Sequence, residues 1–551
     1  MNYLSKLITI FAFAFAFAVG CSSSKEITQQ ETTERDTTAT AEIIAAVEAT
    51  EDWHLQSLDN SAFYGTSVER AYDEFLADKS PQKKVIVAII DSGTDIEHED
   101  LSENIWENEG EIAGNNVDDD GNGYTDDVHG WNFIGGTDGQ HVDKDTYEVT
   151  RLYRKLGDKY AEMDENDAPA DQNDYEYYLE IKEAFETRVQ QNTQQLMQVS
   201  QILQAINGAK ETLAISNIDS VTTSELTADA EDTPQEQQSK QILSMIKSNG
   251  ADEQAIKETE DFYEHLSDLS EYGLNPDFDP RGIVGDEYDD LTNRFYGNND
   301  VNGPSNDHGT HVAGIVGAVR DNQIGIKGIA DIELMILRTV PDGDERDKDV
   351  ANAIRYAAEN GAKVINMSFG KGYSPEKIYV DAAIRYADSV GVLMISGSGN
   401  DGSNVDSTDS YPSRFYDDGG FAENYLSVGA SSWESDSTLA AGFSNYGKEA
   451  VDLFAPGVDV YSTYPNNEYQ KNSGTSMASP VVAGVAALIM SYYPDLSTTE
   501  VKEIILSTVT KVDQMVYKPG SDEVVPFSEL SATGGIINAY EALKLAEQRS
   551  N

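Results

Sequence analysis

The stretch KKVIVAIIDSG, residues 83–93, decides the fold of this chain. It is short, rich in β-branched residues and almost wholly apolar until it ends in Asp91 and Gly93. A run of this kind predicts a strand that is buried on both faces, as in a parallel sheet covered by helices. Because ligands of such sheets bind at the carboxyl ends of the strands, Asp91 is the first candidate for a functional residue.

Similar apolar runs recur along the chain, with helix-period segments between several of them. One such segment is DVANAIRYAAENGA, residues 349–362, in which Gly361 is a helix stop signal. Alternating strands and helices predict an α/β fold, with a mainly parallel sheet and helices on both faces. The recurring runs are residues 333–340, 362–370, 392–400, 425–431 and 450–457.

The composition limits what the protein can bind. The chain has 551 residues, 39% of them hydrophobic, which is enough for a sizeable core and for more than one domain. Its formal net charge is −60, from 98 acidic and 38 basic residues. This charge argues against nucleic acid as a partner, because phosphate contacts need Lys and Arg. It suits a soluble protein that binds hard cations through carboxylates, although a merely acidic surface explains most of the charge.

The N-terminal stretch MNYLSKLITIFAFAFAFAVGC reads as an export signal. Lys6 gives a positive start, residues 7–19 are apolar, and the run is too short for a comfortable membrane span. A signal that ends in small residues and then Cys resembles the bacterial lipobox. The resemblance implies that Cys21, the one cysteine, carries a lipid and anchors an exported protein in the bacterial cell envelope, at a membrane surface or in the periplasm. An ordinary signal peptide with an incidental cysteine is the alternative.

Changes in composition and in apolar periodicity along the sequence predict a discontinuous domain organisation. We expect a lipoprotein signal peptide at 1–20, a flexible Ser/Thr/Glu-rich tether at 21–52, an α/β domain at 53–134 and 281–548, and an acidic helical insertion at 135–280. In the insertion, apolar residues recur at steps of three, four or seven, which predicts one helix stripe. We interpret the stripe as the core of a helical hairpin, with a partner-binding face as the alternative. The stripe consists of Tyr178, Ile181, Phe185, Val189, Leu196, Val199, Leu203 and Ile206.

Four polar residues stand where the predicted strands end or the predicted helices begin. They are Asp91, His308, Asn400 and Ser476, in that order along the chain. Singly, each has a plain interpretation: a turn residue, half of a metal pair with His311, a left-handed loop residue, and a helix N-cap. Together they are what acyl transfer requires. A serine needs a base, the base needs an orienting carboxylate, and the tetrahedral oxyanion needs hydrogen-bond donors.

The motifs DSGTD, HGTHVAG, SGN and GTSMASP resemble those of the subtilisin-like serine proteases, or subtilases, whose triad order is Asp, His, Ser. The similarity covers roughly residues 53–134 and 281–510. It implies a subtilisin-like fold and a serine endopeptidase that acts on polypeptides. By this resemblance Asp91 is the orienting carboxylate, His308 the general base and then acid, and Ser476 the nucleophile.

The resemblance also implies how substrate is held. Asn400 and the backbone N–H of Ser476 become the oxyanion donors, and His311 takes a packing role. The segment MSFGKG is expected to hold the substrate backbone as an added strand. The stretch SGSGN is expected to line the pocket for the side chain before the cleaved bond, with room for an apolar or aromatic group. The implied substrate-binding residues are Ser368, Phe369, Gly370, Ser398 and Gly399.

The stretch NNVDDDGNGYTDDVHG, residues 115–130, predicts a Ca²⁺ site. Oxygen ligands stand at alternate positions around Gly123, as in the early half of an EF-hand loop, but His129 stands where the terminal Glu is expected. A solvated acidic turn is the alternative. The predicted ligands are Asp118, Asp120, Asn122, the carbonyl of Tyr124, and Asp126.

A second calcium site is implied by the resemblance alone. RDNQIGI, residues 320–326, resembles the family's structural calcium loop and contains Asn322. Asp100, in HEDL, would complete it. Both ions would be structural cofactors.

The insertion is the main departure from the family pattern. It separates Asp91 from His308 by far more residues than in plain members, so we expect it to emerge near the rim of the active site. Gating of access, recruitment of a partner and shielding of the cleft all remain open. The competing function is a protease-fold binding or scaffold protein that acts through this insertion. Such a protein would be expected to have lost a triad residue, and none is lost.

Overall fold

The structure, a computed structural model, describes residues 49–163 and 169–550. They fall into two compact units, whose described parts are residues 149–163 and 169–278 in one and residues 49–148 and 279–550 in the other. The first unit lies inside the range predicted for the insertion, 135–280. The predicted signal peptide, Cys21 and nearly all of the predicted tether lie outside the described residues.

The larger unit contains all the strands that the structure assigns within the described residues. They are β1 (Ile86–Asp91), β2 (Gly130–Asn132), β3 (Glu333–Arg338), β4 (Val364–Met367), β5 (Leu393–Gly397), β6 (Tyr425–Ser431), β7 (Leu453–Pro456), β8 (Val460–Tyr464), β9 (Glu468–Asn472), β10 (Thr510–Lys511), β11 (Met515–Tyr517), β12 (Val524–Pro526) and β13 (Gly535–Ile536).

Nine of these strands form one sheet, in the order β10-β13-β7-β6-β5-β4-β1-β3-β2. Neighbouring strands are parallel except for β10 and β13, which are antiparallel. The pairs β8–β9 and β11–β12 form separate antiparallel ribbons. The predicted, mainly parallel sheet is confirmed, and each apolar run singled out in the sequence contains one of its strands.

Eleven helices occur in the described residues. They are α1 (Val68–Arg70, continued by a π-helical turn, Ala71–Leu76), α2 (Glu148–Tyr160), α3 (Gln172–Thr212), α4 (Pro234–Ser248), α5 (Glu253–Asp268), α6 (Asp307–Gly317), α7 (Asp347–Glu359), α8 (Lys377–Ser389), α9 (Thr475–Tyr492), α10 (Thr498–Ser507) and α11 (Ala539–Ser550).

Helices cover both faces of the sheet, as the sequence predicts. Successive side chains of β1 point to opposite sides, so Ile89 joins one apolar cluster and Ile90 the other. The Ile89 cluster includes Val312 of α6 and Val481 of α9, and the Ile90 cluster includes Ile354 of α7. Full burial of one such side chain stabilises the fold by about 1.5–3 kcal/mol. The helices that carry His308 and Ser476 therefore lie on one face.

Helix α9 is the central helix of that face. It is long and apolar enough to cross a membrane, but 94% of it is buried inside the protein, as expected of a core helix. Gly484 permits its close approach to a neighbouring loop, because a Cβ there would lie only 2.5 Å from Cβ of Ile329. The small residues of α9 thus serve packing as well as the site at its N-terminus.

The smaller unit is helical and is described by itself. Its longest helix, α3, begins after Asp171, whose carboxylate accepts hydrogen bonds from the backbone N–H groups of Asn173 and Asp174. Of the eight residues in the predicted stripe, six are buried, and Val189 and Leu196 are half-buried. Val199, Leu203 and Ile206 belong to apolar clusters that include residues of α4 and α5, and the ring of Phe185 stacks on Tyr153 of α2. The interpretation of the stripe as helical core is confirmed.

Candidate active site

Asp91 and His308 are brought together at the carboxyl end of the sheet. Asp91 is the last residue of β1 and is 2% exposed, while His308 is the second residue of α6. The imidazole Nδ1 lies 2.7 Å from Oδ1 of Asp91, and the same oxygen accepts the backbone N–H of Ser92, also at 2.7 Å. A buried carboxylate in this position fixes the tautomer of the ring and leaves Nε2 free to accept a proton.

Close backbone packing makes this contact possible. A Cβ at Gly309 would lie 2.0 Å from the carbonyl oxygen of Gly93, so only glycine lets the start of α6 approach the end of β1. Strand β8 holds the other side of α6, where Ser462 Oγ donates to the carbonyl of His311 at 2.7 Å. The ring of His311 is buried and donates from Nε2 to the carbonyl of Gln470 at 3.0 Å. This geometry agrees with a packing role for His311.

The electrostatics of His308 suit a general base. Burial lowers its pKa, but the charge of Asp91, the hydrogen bond to it and the charge of Asp307 outweigh burial, so the pKa is raised above 6.5. The side chain remains 38% exposed, which leaves one face of the ring open to a ligand. Because its pKa is raised, the ring is a stronger proton acceptor than free histidine.

Ser476 is the second residue of α9, where the free N–H groups and the helix dipole favour negative charge. Its Oγ donates to the carbonyl of Ser368 at 3.1 Å, and Ser368 Oγ donates to the carbonyl of Ser476 at 2.9 Å. Within the described part of the chain, no hydrogen bond joins Ser476 to His308. Catalytic hydrogen bonds are often long or misaligned before substrate binds, and a turn of the serine side chain releases its bond to Ser368.

The donors expected for an oxyanion converge beside Gly474. Asn400 Oδ1 accepts the backbone N–H of Thr475 at 2.9 Å and its hydroxyl at 3.1 Å, which fixes the amide orientation and leaves Nδ2 as the outward donor. A Cβ at Gly474 would lie 3.6 Å from both Asn400 Nδ2 and the backbone N of Ser476. The absent side chain therefore leaves space beside both nitrogen atoms expected to donate to an oxyanion.

The predicted substrate-binding residues lie around this space. Ser368 directly follows β4 and touches Ser476, Phe369 is half-buried, and Gly370 is exposed. Ser398 is buried and donates to the carbonyl of Asn445 at 3.0 Å, while the N–H of Gly399 donates to Thr475 Oγ1 at 3.2 Å.

A cavity of about 210 Å³ opens beside Gly397 and Ser398. Its lining is mixed in character. It includes Tyr411 and Tyr425 but also the charged Lys377, Asp409 and Arg414. The expected apolar or aromatic pocket is therefore only partly matched by the groups that line it.

The predicted calcium loop has an acidic cluster, but with a different membership. Carboxylate oxygens of Glu111, Asp120 and Asp127 lie within 4.8 Å of one another. Asp127 is fully buried, and burial raises its pKa. Of the predicted ligands, only Asp120 belongs to this group. Asp118 instead accepts three backbone N–H groups within its own turn, Asp126 accepts those of residues 115 and 116, and Asn122 donates its amide to Asp120 and Asp127.

Tyr124, whose carbonyl is another of the predicted ligands, has its side chain buried in the core. At the second site, Asp100 and Asn322 do meet. Asp100 is fully buried, accepts the Asn322 amide at 2.6 Å and the backbone N–H of Ile326 at 2.8 Å, and burial raises its pKa. Both calcium sites remain predictions.

Sequence reasoning missed Glu111 and Asp127 as members of the acidic cluster. Asp127 was adjacent to the predicted ligands and could have been included as one more carboxylate. Glu111 carries no such signal, because it lies outside the alternating pattern and reaches the loop by accepting the backbone N–H groups of Asp119 and Asp126 at 2.9 and 3.0 Å.

The chain is similar in sequence to known serine proteases. Subtilisin DY of Bacillus licheniformis is 39% identical over 228 residues, which are 40% of this chain and 77% of that protein. Subtilisin BL of Lederbergia lenta is 38% identical over 209 residues, or 38% of this chain and 71% of the relative. The thermophilic serine proteinase of Bacillus sp. (strain AK1) is 39% identical over 240 residues, or 43% and 54%.

The parallel sheet, the contact between His308 and the buried Asp91, and a serine at a helix start are the features expected of a serine hydrolase. The profile described as "Subtilase family" matches residues 82–523. This chain belongs to the subtilase family and is a serine endopeptidase of the subtilisin type.

Proposed function

We propose that this chain is an exported endopeptidase, anchored in the cell envelope by a lipid on Cys21, that cleaves polypeptides through an acyl-enzyme on Ser476. The observation that carries the catalytic part is the 2.7 Å contact between His308 and the buried Asp91. This contact fixes the tautomer of the base, His308. The helix that carries His308 lies on the same face of the sheet as α9, whose second residue is Ser476.

In the acylation step, the Ser476 hydroxyl turns from Ser368 to His308 and gives its proton to Nε2 while Oγ attacks the substrate carbonyl carbon. The C–O bond forms as the carbonyl π-bond breaks, and the oxyanion is received by Asn400 Nδ2 and the N–H of Ser476. One such donor is worth roughly 2.7–4 kcal/mol in the transition state. The imidazolium then protonates the leaving amine, and the C–N bond breaks.

Deacylation repeats the sequence with water in place of serine. His308 takes a proton from water, the hydroxide oxygen bonds to the acyl carbon, and the Ser476 ester bond breaks as the proton returns to Oγ. Asp91 stays ionised throughout and stabilises the imidazolium of each transition state. The overall reaction is balanced, because a peptide bond and one water give an amine and a carboxylic acid and regenerate the free enzyme.

We assign two structural Ca²⁺ sites to the same enzyme. Subtilisins commonly bind structural calcium. The residues of this chain fit such an ion, because three carboxylate oxygens converge at Glu111, Asp120 and Asp127, and Asp100 offers a buried carboxylate beside Asn322. Converging carboxylates repel one another unless a cation lies among them, and Ca²⁺ takes six to eight oxygen ligands. The Glu111 cluster is proposed in place of the alternating set read from the sequence.

Anchoring rests on the lipobox-like sequence before Cys21. The test is detergent phase partitioning of the expressed full-length protein, with Cys21→Ser as the comparison. We expect the wild-type protein in the detergent phase and the Cys21→Ser protein, where exported, in the aqueous phase. Equal partitioning of the two would remove the lipid from the proposal and leave an ordinary signal peptide.

The catalytic proposal is tested by active-site labelling with a fluorescent fluorophosphonate. The purified protein is treated with and without Ca²⁺, beside Ser476→Ala and the matched control Ser473→Ala, an exposed serine just before the helix. We expect labelling of the wild-type and Ser473→Ala proteins and none of Ser476→Ala. Cleavage at internal bonds of a denatured protein then identifies an endopeptidase. A folded, calcium-loaded protein that resists labelling would favour the binding or scaffold function instead.

A further inference from the structure

A buried ammonium group ends the segment expected to hold the substrate backbone. Lys371 follows Gly370, and its side chain is only 2% exposed. Its Nζ lies 2.8 Å from Glu148 Oε2, 2.8 Å from the carbonyl oxygen of Glu345 and 2.9 Å from Asp347 Oδ1. The two carboxylate side chains are 4% and 3% exposed, so this is a buried ionic contact with three fixed directions.

Such a contact holds the main chain of its residues tightly. Separation of Lys371 from its carboxylate partners would leave a buried, uncompensated charge, which is strongly unfavourable. The side chains of the contact are therefore held together. Asp347 extends the attachment, because its carboxylate also accepts the hydroxyl of Ser374 at 2.9 Å and the N–H of Glu376 at 2.9 Å. The backbone of Lys371 is fixed as well, by two hydrogen bonds of 2.9 Å with Tyr411.

The segment is therefore held at both ends and open in the middle. Ser368 is fixed through its hydrogen bonds with Ser476, and Lys371 is fixed as described. Between them, Phe369 and Gly370 form no backbone hydrogen bond with any residue in the described ranges. Their N–H and C=O groups are the ones that an extended peptide would pair with in β-augmentation.

Glu148 lies in the segment that connects the sheet to the helical insertion, and not in a strand of the sheet. It is the first residue of α2, and its N–H donates to Asp344 Oδ2 at 2.8 Å. Three residues earlier, the N–H of Asp145 donates to the carbonyl of Asp342 at 3.0 Å. The segment that leaves the α/β core therefore positions the carboxylate of Glu148 at the end of the substrate-binding segment.

We propose that Lys371 and Glu148 are positioning residues that hold segment 368–370 in register for an extended peptide backbone. This inference rests on the proposed endopeptidase function and deepens it. It assigns part of the enzyme's recognition of extended substrates to an ionic contact at the root of the insertion.

The test compares two substrates with the same leaving group. One is acetyl-Phe-p-nitroanilide, which reaches only the pocket beside Asn400, and the other is succinyl-Ala-Ala-Pro-Phe-p-nitroanilide, which also lies along the segment. For wild-type protein we expect kcat/KM to favour the longer substrate. In Glu148→Gln and Lys371→Met we expect this preference to fall about tenfold, the loss of one or two backbone hydrogen bonds, with the change mainly in KM.

The matched control is Glu69→Gln, which breaks a partly buried ion pair that has no residue in common with the Lys371 contact. Arg320 Nη2 lies 2.5 Å from Glu69 Oε1, and the two side chains are 12% and 22% exposed. We expect this variant to unfold at a lower temperature while the ratio between the two substrates stays unchanged. Lys371→Arg, which retains the charge, is expected to recover part of the ratio.

The outcomes separate the inference from the function on which it rests. An unchanged ratio in a folded, active Glu148→Gln protein would overturn the positioning role and leave the endopeptidase intact. A fall of similar size in Glu69→Gln would also overturn it, because general destabilisation would then explain the effect. If Lys371→Met does not fold, the isosteric Glu148→Gln decides alone. A wild-type protein that neither labels with fluorophosphonate nor cleaves either substrate refutes the enzymatic function itself.

Discussion

Asp91→Asn is the substitution whose effect the structure defines most sharply. The side chain keeps its size, and its Oδ1 can still accept the N–H of Ser92, which now lies 2.7 Å away. What is lost is the negative charge 2.7 Å from His308 Nδ1. The amide also permits the opposite tautomer of the ring, in which Nε2 carries the proton and cannot take one from Ser476.

The expected loss follows from these two effects. Removal of the charge of the triad carboxylate lowers kcat roughly 10⁴-fold, or about 5.5 kcal/mol of transition-state stabilisation. The pH dependence shifts as well. Burial lowers the pKa of His308, and Asp91 is the main group that overcomes it to raise the pKa above 6.5. Without that charge the pKa falls, so the acid limb of kcat/KM moves to lower pH. The raised pKa of His308 also stabilises the folded protein. This stabilisation is complete below pH 6.5 and is lost as the pH rises through the folded-state pKa, so Asp91→Asn removes it at acid pH.

The assay is kcat/KM for the longer anilide substrate, measured across the pH range on both sides of neutrality. Asp307→Asn is the matched control, since Asp307 is exposed and raises the pKa of His308 through its charge alone, by less than Asp91 does. We expect a smaller shift of its acid limb and little loss of kcat. Activity of Asp91→Asn within tenfold of wild type, or an acid limb that does not move, would refute the assigned role.

Three further predictions follow from the site and its surroundings. Asn400→Asp keeps the oxygen that caps Thr475 but replaces the Nδ2 donor, so we expect kcat to fall about 10²–10³-fold with little change in KM; an effect confined to KM would contradict the oxyanion role. Asp127→Asn should abolish the rise in unfolding temperature that Ca²⁺ gives over chelator, and an undiminished rise would place the ion elsewhere. Burial lowers the pKa of both His54 and His311 to about 4, so stability should fall as pH drops from 6.5 toward 4, by roughly 3 kcal/mol each. A His54→Leu protein whose urea midpoint keeps the full pH dependence would contradict this account.

The sequence predicted most of the fold and the reactive groups because both leave local signals. Strands such as β1 are buried on both faces, so they appear as unbroken apolar runs that need no knowledge of their partners. Asp91, His308 and Ser476 stand at the ends of elements whose period is easily read. In a parallel sheet with helices on both faces, that position alone brings them to one edge.

Other features depend on contacts between distant residues and leave little local trace. Strand β2 is only Gly130–Asn132, too short to show alternation, and it exists because β3 pairs with it. The polar, Thr-rich stretch at 214–238 has no apolar periodicity, yet it buries Ile218 and Leu226 in the core of the helical unit. Glu111 joins the acidic cluster through the fold of its own loop.

The structure also explains how a long insertion can separate Asp91 from His308 without disturbing them. Both ends of the inserted chain are bound by buried charges near the start of α7. Arg346 contacts Asp145 on the outgoing side at 2.8 Å and Asp279 on the returning side at 3.2 Å. Further along the return, Arg281 pairs with Asp349 and Asp286, and Lys348 also pairs with Asp286.

Because these contacts close the insertion at its base, its length adds little to the cost of folding. Loop-closure entropy grows only with the logarithm of loop length, by about 0.6 kcal/mol for each doubling. The ionic contacts therefore need to offset a cost that hardly depends on what the insertion contains. The insertion can then vary in size and content while β1 and α6 keep their 2.7 Å contact. Glu148, the last residue before the helical unit, lies at this base, and its carboxylate is 2.8 Å from Lys371 Nζ at the end of the substrate-binding segment.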